Sequence, residues 1–265
     1  MLINYFDIKK KNYDYCIIGS GVAGSIIADR LSKKFKILLI EGGGKYVSEK
    51  SQNLYQGKTF GDDYNDLTAT RLRFMGGTSN HWGGLSRPLD PIDFQRIPAS
   101  NIKWPIKFED LNSFIDEAIN ELNLKNYEKD EIIYDSPFVT KQFHRSDPVF
   151  RANEKYFEKF KKSKNVDLVL NLNFYKINLN TKNNETYISD IECKDYNNNI
   201  HKINAKKYIL CCGGIENNRL LLWTNAVYNN KVFNSELLGR YWTEHPHFSV
   251  ADAIIFDEND SIFLG

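Results

Sequence analysis

Near its start the chain carries a strand, a glycine-rich turn, a helix and a second strand within about thirty residues, the length of one βαβ unit. Residues 13–18 form a short apolar strand pattern, which Gly19-Ser20-Gly21 interrupts. Apolar residues then recur at helical spacing over residues 22–34, and residues 36–40 form a second apolar run. This order predicts two strands joined through a helix, so it favours an α/β fold.

The turn in this unit has a glycine spacing that suits a dinucleotide. It reads Gly19-x-Gly21-x-x-Gly24, and Glu41 ends the second strand 22 residues after Gly19. These glycines allow the tight turn, the approach of a pyrophosphate to the backbone and close packing of helix on strand. The pyrophosphate would lie at the helix N-terminus, and Glu41 would bind a ribose and disfavour a 2′-phosphate. The motif alone does not separate NAD from FAD.

A second glycine-rich stretch, RFMGGTSNHWGG, occupies residues 73–84. It lies in a long connection with little periodicity, and connections of this kind are usually functional or disordered. The glycine pairs and Trp82 argue against disorder. We therefore expect a loop whose backbone lies close to a ligand and whose polar side chains face it.

The rest of the chain alternates between helix and strand patterns. The asparagines at 197–199 are typical of a turn between two strands. We predict helices at 111–122, 150–161 and 216–224, and strands at 166–174, 186–194, 200–204, 207–212 and 248–256.

Composition argues against several classes of function. The 35 basic and 34 acidic side chains nearly cancel, so no overall field directs the chain to nucleic acid or an anionic membrane. The longest apolar runs are too short to span a bilayer, and no secretory-signal pattern follows the N-terminus. The four cysteines do not suggest a disulfide framework, so we expect reduced thiols in a cytoplasmic protein.

Four of the five histidines are predicted to be structural. His245 and His247 flank Pro246 without a third ligand nearby, so we expect turn residues and no metal site. His144 and His201 lie among polar residues and are expected to be surface side chains.

Five segments, taken in order, resemble the glucose–methanol–choline (GMC) oxidoreductases, a family of FAD-dependent alcohol-oxidising enzymes. The segments are YDYCIIGSGVAGSIIADRL with LLIEGGG, RFMGGTSNHWGG, WPIKFEDLNSFIDEAINELNL, ILCCGGIENNRLLL and LGRYWTEHPHF. Together they extend from residue 13 to about residue 248, which is nearly the whole chain.

The resemblance implies FAD rather than NAD. It implies a Rossmann-like FAD-binding domain in two parts, 12–100 and 151–245, with part of an α+β substrate domain built on an antiparallel sheet. A helical insertion at 101–150 would start the substrate domain, and 246–265 would be the truncated start of its sheet. The matching cofactor contacts are Gly19, Ser20, Gly21, Gly24, Glu41, Gly42, Gly76, Gly77, Thr78, Ser79, Asn80, His81, Phe174, Gly213 and Gly214.

The His81-Trp82 pair resembles a narrower branch of the family, the pyranose 2-oxidase and gluconate dehydrogenase-like enzymes. In pyranose 2-oxidase a histidine in a similar stretch is bonded covalently to the flavin, and His81 is the residue that matches it. The alternative is a noncovalent flavin, with His81 as a hydrogen-bonding loop residue. Trp82 is expected to pack beneath the loop.

The implied activity is oxidation of a CH–OH group of an alcohol, sugar or polyol to a carbonyl, with hydride transfer to flavin. Oxygen or another acceptor would take the electrons. The family's catalytic histidine comes from the C-terminal part of a chain about twice this size, so we assign no catalytic residue here. We therefore expect an N-terminal portion that is incomplete alone and that a C-terminal partner chain could complete.

Two alternatives remain open at this point. The first is a noncatalytic flavin-binding protein or a subunit of a split enzyme. The second is an NAD-binding reductase whose likeness to the family is accidental.

Overall fold

The structure, a computed structural model, describes residues 1–62, 64–95, 103–124, 131–132, 139–140, 143–229, 232–243 and 249. Short 3-10 helices cover Tyr5–Lys10, Asn53–Tyr55, Gly77–Asn80 and Pro91–Phe94. The strands and α-helices are, in chain order, β1 (Tyr15–Ile18), α1 (Val22–Leu31), β2 (Ile37–Ile40), α2 (Glu49–Gln52), β3 (Leu85–Ser86), α3 (Phe108–Asn112), α4 (Ile115–Glu121), β4 (Glu131–Ile132), β5 (Val139–Thr140), β6 (His144–Arg145), α5 (Ala152–Lys162), β7 (Val166–Val169), β8 (Asn173–Lys182), β9 (Glu185–Lys194), β10 (Ile200–Ile203), β11 (Lys207–Leu210) and α6 (Gly214–Val227).

A four-stranded parallel sheet forms the centre of the described structure. Its strand order is β11-β1-β2-β7, with β1 paired on both sides. The chain moves outward from β1 to β2 and β7, and it returns to the other side of β1 for β11. The direction of progression therefore reverses between β1 and β11, and open α/β sheets bind ligands at such a reversal.

The two faces of this sheet are covered by different layers, because successive side chains in a strand point to opposite faces. Ile17 of β1 packs in the cluster that includes Ala28 of α1 and Phe160 of α5. Cys16 of β1 packs in the other cluster with Ile191 of β9. The second cluster lies against an antiparallel sheet with the order β10-β9-β8. The result is a helix layer, a parallel sheet and an antiparallel sheet, which confirms the mixed α/β fold.

Most of the predicted elements are confirmed, but the strand predicted at 166–174 is wrong. It is two strands in different sheets, β7 and β8, separated by Asn171 with a φ of 59°. All four residues of β7 are buried, including Asp167, which accepts hydrogen bonds from Lys11 Nζ at 2.9 Å and Tyr13 Oη at 3.0 Å. The prediction expected apolar, buried positions to alternate with exposed ones. The Asp167 carboxylate can occupy a buried position instead because its hydrogen bonds replace those to water.

The helix predicted at 111–122 is also two elements, α3 and α4, which are separated at Ser113 and Phe114. Phe114, an apolar residue within the predicted helix, is 58% exposed. The apolar residues of this segment do recur at helical spacing. The face that they form, however, is not covered by other residues of the described structure. The strand predicted at 248–256 lies outside the described residues apart from residue 249.

The prediction that His144 and His201 are surface side chains is wrong, because each is only 6% exposed. His201 Nε2 lies 3.1 Å from Asp195 Oδ2, and its ring lies 4.3 Å from the ring of Tyr5. The polar residues near His201 in the sequence therefore include its buried partner, Asp195, and do not indicate that its side chain is exposed. His245 and His247 lie outside the described residues.

The predicted domain boundaries near residues 100, 150 and 245 stay predictions. The substrate-domain sheet predicted from residue 246 lies almost wholly outside the described residues.

The four cysteines are free, two of them fully buried in the core. Within the described ranges, no helix combines the length and apolar character needed to cross a membrane.

Candidate functional site

A cleft of about 1240 Å³ opens at the carboxyl ends of β1 and β11. Ile18, the last residue of β1, and Gly19 line it, and Cys211, Cys212 and Gly213 line it after β11. This is the place where the strand order changes direction, so it is where an open α/β sheet receives its ligand. The volume exceeds the roughly 300–1,000 Å³ of ordinary small-molecule pockets, so the cleft has room for an extended ligand.

The first wall of the cleft is the turn between β1 and α1. Gly19 has a φ of +99°, and a Cβ there would lie 2.5 Å from the carbonyl oxygen of Cys211. A Cβ at Gly24 would overlap the carbonyl oxygen of Gly19, so this glycine allows the helix to pack closely on the turn. A Cβ at Gly21 would meet nothing within 4 Å, which shows that open space lies above this residue.

The N-terminus of α1 is suited to an anion. Its N-cap is Gly21, which makes no side-chain cap hydrogen bond, and its first turn holds no acidic residue. The first N–H groups of a helix lack intrahelical partners, and the helix dipole favours a negative charge at this end. Val22 and Ala23, at the start of the helix, line the cleft.

Glu41 connects this turn to the loop after β2. Its Oε2 accepts hydrogen bonds from Ser20 N at 3.0 Å and Ser20 Oγ at 2.7 Å, and its Oε1 accepts one from Gly43 N at 2.9 Å. The carboxylate is only 6% exposed but still lines the cleft. A carboxylate offers about four acceptor positions, so one remains for a ligand hydroxyl.

The second wall is the glycine-rich loop at 73–84. Gly76 and Gly77 have φ values of 89° and 54° and lead into the 3-10 helix Gly77–Asn80. Gly76 N donates to Ser20 O at 3.2 Å, which fastens this loop to the first glycine turn. His81 follows the 3-10 helix, is exposed and lines the cleft.

The third wall is the start of α6. Gly213, with a φ of +86°, is its N-cap and makes no side-chain cap hydrogen bond. Glu216 lies in the first turn and is 7% exposed. Its carboxylate pairs with Arg71 at 3.4 Å and with Arg219 at 2.8 Å. Arg71 belongs to the segment before the glycine-rich loop, so this network joins the second wall to the third.

The cleft brings together eleven of the fifteen predicted cofactor contacts. The four that do not line it, Ser20, Gly24, Gly76 and Asn80, lie behind its surface and shape the turns. Asn80 Nδ2, for example, donates to Met75 O at 2.9 Å and to Gly77 O at 2.8 Å. The eleven that line it are Gly19, Gly21, Glu41, Gly42, Gly77, Thr78, Ser79, His81, Phe174, Gly213 and Gly214.

The sequence reasoning missed the arginines of the cleft. Arg73 lines it, donates to Asn173 Oδ1 at 2.5 Å, and places its guanidinium 2.5 to 2.7 Å from where a Cβ of Gly42 would lie. Its buried Nε has no hydrogen-bond partner within the described structure. Arg71 lies just before the glycine-rich loop and Arg73 is its first residue, and that spacing was a usable signal for charged groups near a ligand.

Two cysteine thiols and one tyrosine hydroxyl of the cleft are held in their neutral forms. Burial raises the pKa of the Cys211 thiol to about 11. Burial, with a contribution from the Glu41 carboxylate, raises the pKa of Cys212 to about 12. Burial also raises the pKa of Tyr55 to about 12, against the opposing effect of Arg73. At neutral pH these groups are therefore poor nucleophiles and bases.

A metal site finds no support in the described part of the chain. No group of three or more His, Cys, Asp or Glu side chains is placed there to hold a metal ion. The chemistry of the cleft is instead that of open glycine backbone, two helix N-termini, two buried carboxylates and arginines. That donor set suits a phosphate-containing ligand with hydroxyl groups.

Comparison with known proteins supports this fold. No protein-family model matches the sequence, and no curated protein matches it. Among solved structures, pyridoxine 4-oxidase from Mesorbium loti superposes with a TM-score of 0.51 at 20% identity, covering 81% of this chain and 52% of that one. A fungal aryl-alcohol oxidase superposes with a TM-score of 0.52 at 14% identity, covering 79% and 47%.

These structure neighbours are GMC oxidoreductases, so the resemblance read from the five segments is confirmed at the level of the fold. The chain spans about half the length of the solved proteins that it matches.

Proposed function

We propose that this chain is the flavin-binding part of an FAD-dependent oxidoreductase of the GMC type, which oxidises a CH–OH group to a carbonyl. The observation that carries the proposal is the cleft at the carboxyl ends of β1 and β11, where three glycine turns meet. The names of the two neighbours, a pyridoxine oxidase and an aryl-alcohol oxidase, favour an alcohol as the substrate class. A sugar or polyol stays within that class.

The residues of the cleft fit FAD. Open space above Gly21 leaves room for a pyrophosphate at the N-terminus of α1, within a Rossmann-like arrangement. Glu41 keeps an acceptor position for a ribose hydroxyl, and Phe174 lines the same cleft for the adenine. Gly77, Thr78 and the further residues of the second loop would face the flavin half.

When bound, FAD would accept the hydride from the substrate carbon. The contribution of this chain is to bind and orient the cofactor. His81 is exposed at the cleft, which leaves its imidazole free to contact the flavin or to form the covalent bond known from pyranose 2-oxidase. We assign the base that removes the hydroxyl proton to a part of the enzyme outside the described residues, supplied by further sequence or by a partner chain.

The first experiment is to purify the protein and record its visible spectrum, before and after reconstitution with FAD, FMN or NADH. A flavin spectrum and a preference for FAD are expected. Acid precipitation then distinguishes the two states of the cofactor: yellow colour in the pellet indicates a bond through His81, and release indicates noncovalent FAD. A colourless protein that binds NADH and not FAD would refute the proposal.

The second experiment measures turnover of alcohols and sugars by the FAD-loaded protein, alone and with a candidate C-terminal partner. Retained FAD without turnover under either condition would favour the alternative of a noncatalytic flavin-binding protein.

The four free cysteines fit a reducing compartment, and on that ground we propose that the protein lies in the cytoplasm.

A further inference from the structure

The glycine-rich loop is held from behind by the residues that lead into α5. Arg151 is the N-cap residue of α5. Its Nη1 donates to Ser79 O at 2.7 Å and to Trp82 O at 2.8 Å. These two carbonyls lie on either side of Asn80 and His81, so a single guanidinium nitrogen closes the turn that carries His81.

Two neighbouring contacts fasten the same turn at both ends. Ala152 N donates to Ser79 Oγ at 3.0 Å, and Trp82 Nε1 donates to Phe150 O at 2.8 Å. Phe150 and Ala152 are 1% and 0% exposed, so the turn rests on a fixed part of the core. Trp82 packs against that core as the sequence predicts.

An arginine suits this position for a chemical reason. The last carbonyls of a short helix lack intrahelical partners, and a cation at that end satisfies them and complements the helix dipole. Hydrogen bonds from a charged donor are also stronger than those between neutral groups. The bonds from Arg151 therefore restrict the backbone on both sides of His81, while the imidazole itself stays exposed at the cleft.

We propose that Arg151 is a positioning residue that fixes His81 and its loop against the flavin. This inference rests on the function proposed above. Without the guanidinium the loop would sample more conformations before FAD binds, and ordering it would weaken binding. The same loosening would slow any covalent attachment through His81, since bond formation needs a fixed approach.

The test compares Arg151→Met, which keeps an apolar stem but loses both donors, with Arg151→Lys, which is shorter but keeps a cation. Lys159→Met is the matched control, because Lys159 lies on the same helix and pairs with Asp29 at 2.5 Å instead of with the loop. We expect FAD binding to weaken about tenfold in Arg151→Met and about threefold in Arg151→Lys, and to stay unchanged in Lys159→Met. The visible band of the bound flavin should shift toward that of free flavin in Arg151→Met alone.

Amide hydrogen exchange of His81 in the apoprotein provides a readout that does not need flavin. The amide of His81 donates to Thr78 O at 3.2 Å within the turn, and its exchange should be faster in Arg151→Met than in the wild type or the control. If Arg151→Met does not fold, Arg151→Lys is compared with the wild type in both assays.

The outcomes separate this inference from the proposed function. Wild-type affinity, spectrum and exchange in the folded Arg151 variant would overturn the role of Arg151 and leave the flavin proposal intact. A wild-type protein that binds no flavin would refute the proposed function, and the exchange experiment would still decide whether Arg151 holds the turn.

Discussion

Two helices begin side by side at the cleft, and their N-termini are chemically opposite. Both α1 and α6 follow a parallel strand and begin at a glycine N-cap without a side-chain cap hydrogen bond. The first turn of α1 contains no acidic residue, whereas the first turn of α6 contains the buried Glu216. Of these two glycine-capped helix ends, the one at α1 is therefore open to an anion, and the one at α6 already has its own carboxylate.

This difference shows where a ligand's negative charge can bind. A pyrophosphate at α1 meets the helix dipole and open space above Gly21. At α6 it would meet the Glu216 carboxylate, whose charge is balanced by Arg71 and Arg219. Glycine content alone does not identify the phosphate site, because both turns contain glycines. The predictions below change the charge of one end or the other and are ordered by their expected effect on FAD affinity.

Placing an acid at the N-terminus of α1 should have the largest effect. Gly21 has extended backbone angles that suit an aspartate N-cap, so Gly21→Asp should leave the free energy of unfolding of the apoprotein unchanged or slightly raised. Its carboxylate would occupy the space above the turn and repel the pyrophosphate. We expect FAD affinity, measured by titration of flavin fluorescence, to fall about 100-fold or more.

The control for this variant is Gly83→Asp, because a Cβ at Gly83 also meets nothing within 4 Å and Gly83 does not line the cleft. Equal FAD affinities in the two variants would contradict the assignment of the pyrophosphate to α1.

Neutralising Glu41 should have an intermediate effect. In Glu41→Gln the amide NH2 must face either the donors of Ser20 or the N–H of Gly43, so one buried donor loses its acceptor. We expect FAD affinity to fall about tenfold and the free energy of unfolding to fall by about 1–3 kcal/mol, measured by urea denaturation. Glu117→Gln, at a position with 58% side-chain exposure, is the control for loss of a carboxylate. The ribose role fails if Glu41→Gln binds FAD as tightly as this control does.

Removing the acid from α6 should act in the opposite direction. Glu216→Gln takes a negative charge out of the cleft, so we expect FAD affinity to stay the same or to rise by up to about threefold. The same change leaves Arg71 with a weaker partner in a largely buried position, and the free energy of unfolding should fall by about 1–3 kcal/mol. If Glu216→Gln lost as much FAD affinity as Gly21→Asp, the proposed difference between the α1 and α6 ends in binding a ligand's negative charge would be refuted.

Changing a carboxylate that does not line the cleft, that of Asp195, should leave FAD affinity unchanged. Burial would raise the pKa of Asp195, but hydrogen bonds from Asn199, His201 and the Asn197 amide outweigh it and hold this pKa below its usual range. A depressed folded-state pKa stabilises the protein above the unfolded value of about 3.9, and that contribution is lost as the pH falls. Asp195→Asn should therefore destabilise the protein at pH 7, and its difference from wild type should shrink by pH 3. Urea denaturation at both pH values measures this, and a difference that grows on acidification would show the opposite sign.

The sequence was most informative where local geometry and chemistry coincide. The strand–turn–helix around Gly19 and Gly24 was predictable, because the tight turn and the close helix packing allow only glycine there. Glu41 was found from its spacing alone. What its spacing did not show is that three hydrogen bonds from Ser20 and Gly43 already occupy the carboxylate.

Prediction failed where burial depends on distant partners. Asp167 is buried because Lys11 and Tyr13 reach it from more than 150 positions away in the chain. His201 is buried because Tyr5 and Asp195 enclose it. Periodicity treats such residues as exposed, since a polar side chain shows its partner only after the chain has folded.

By itself, the sequence determined the βαβ unit, the glycine turns and the segments that would face a dinucleotide, because these depend on residues close together in the chain. Only the tertiary structure showed that Arg71 meets Glu216, and that Arg151 closes the turn around His81. The physical reason is the parallel sheet. It brings the ends of strands nearly 200 residues apart to one edge, where Arg71 from the loop region before the glycine-rich loop reaches Glu216 at the start of α6.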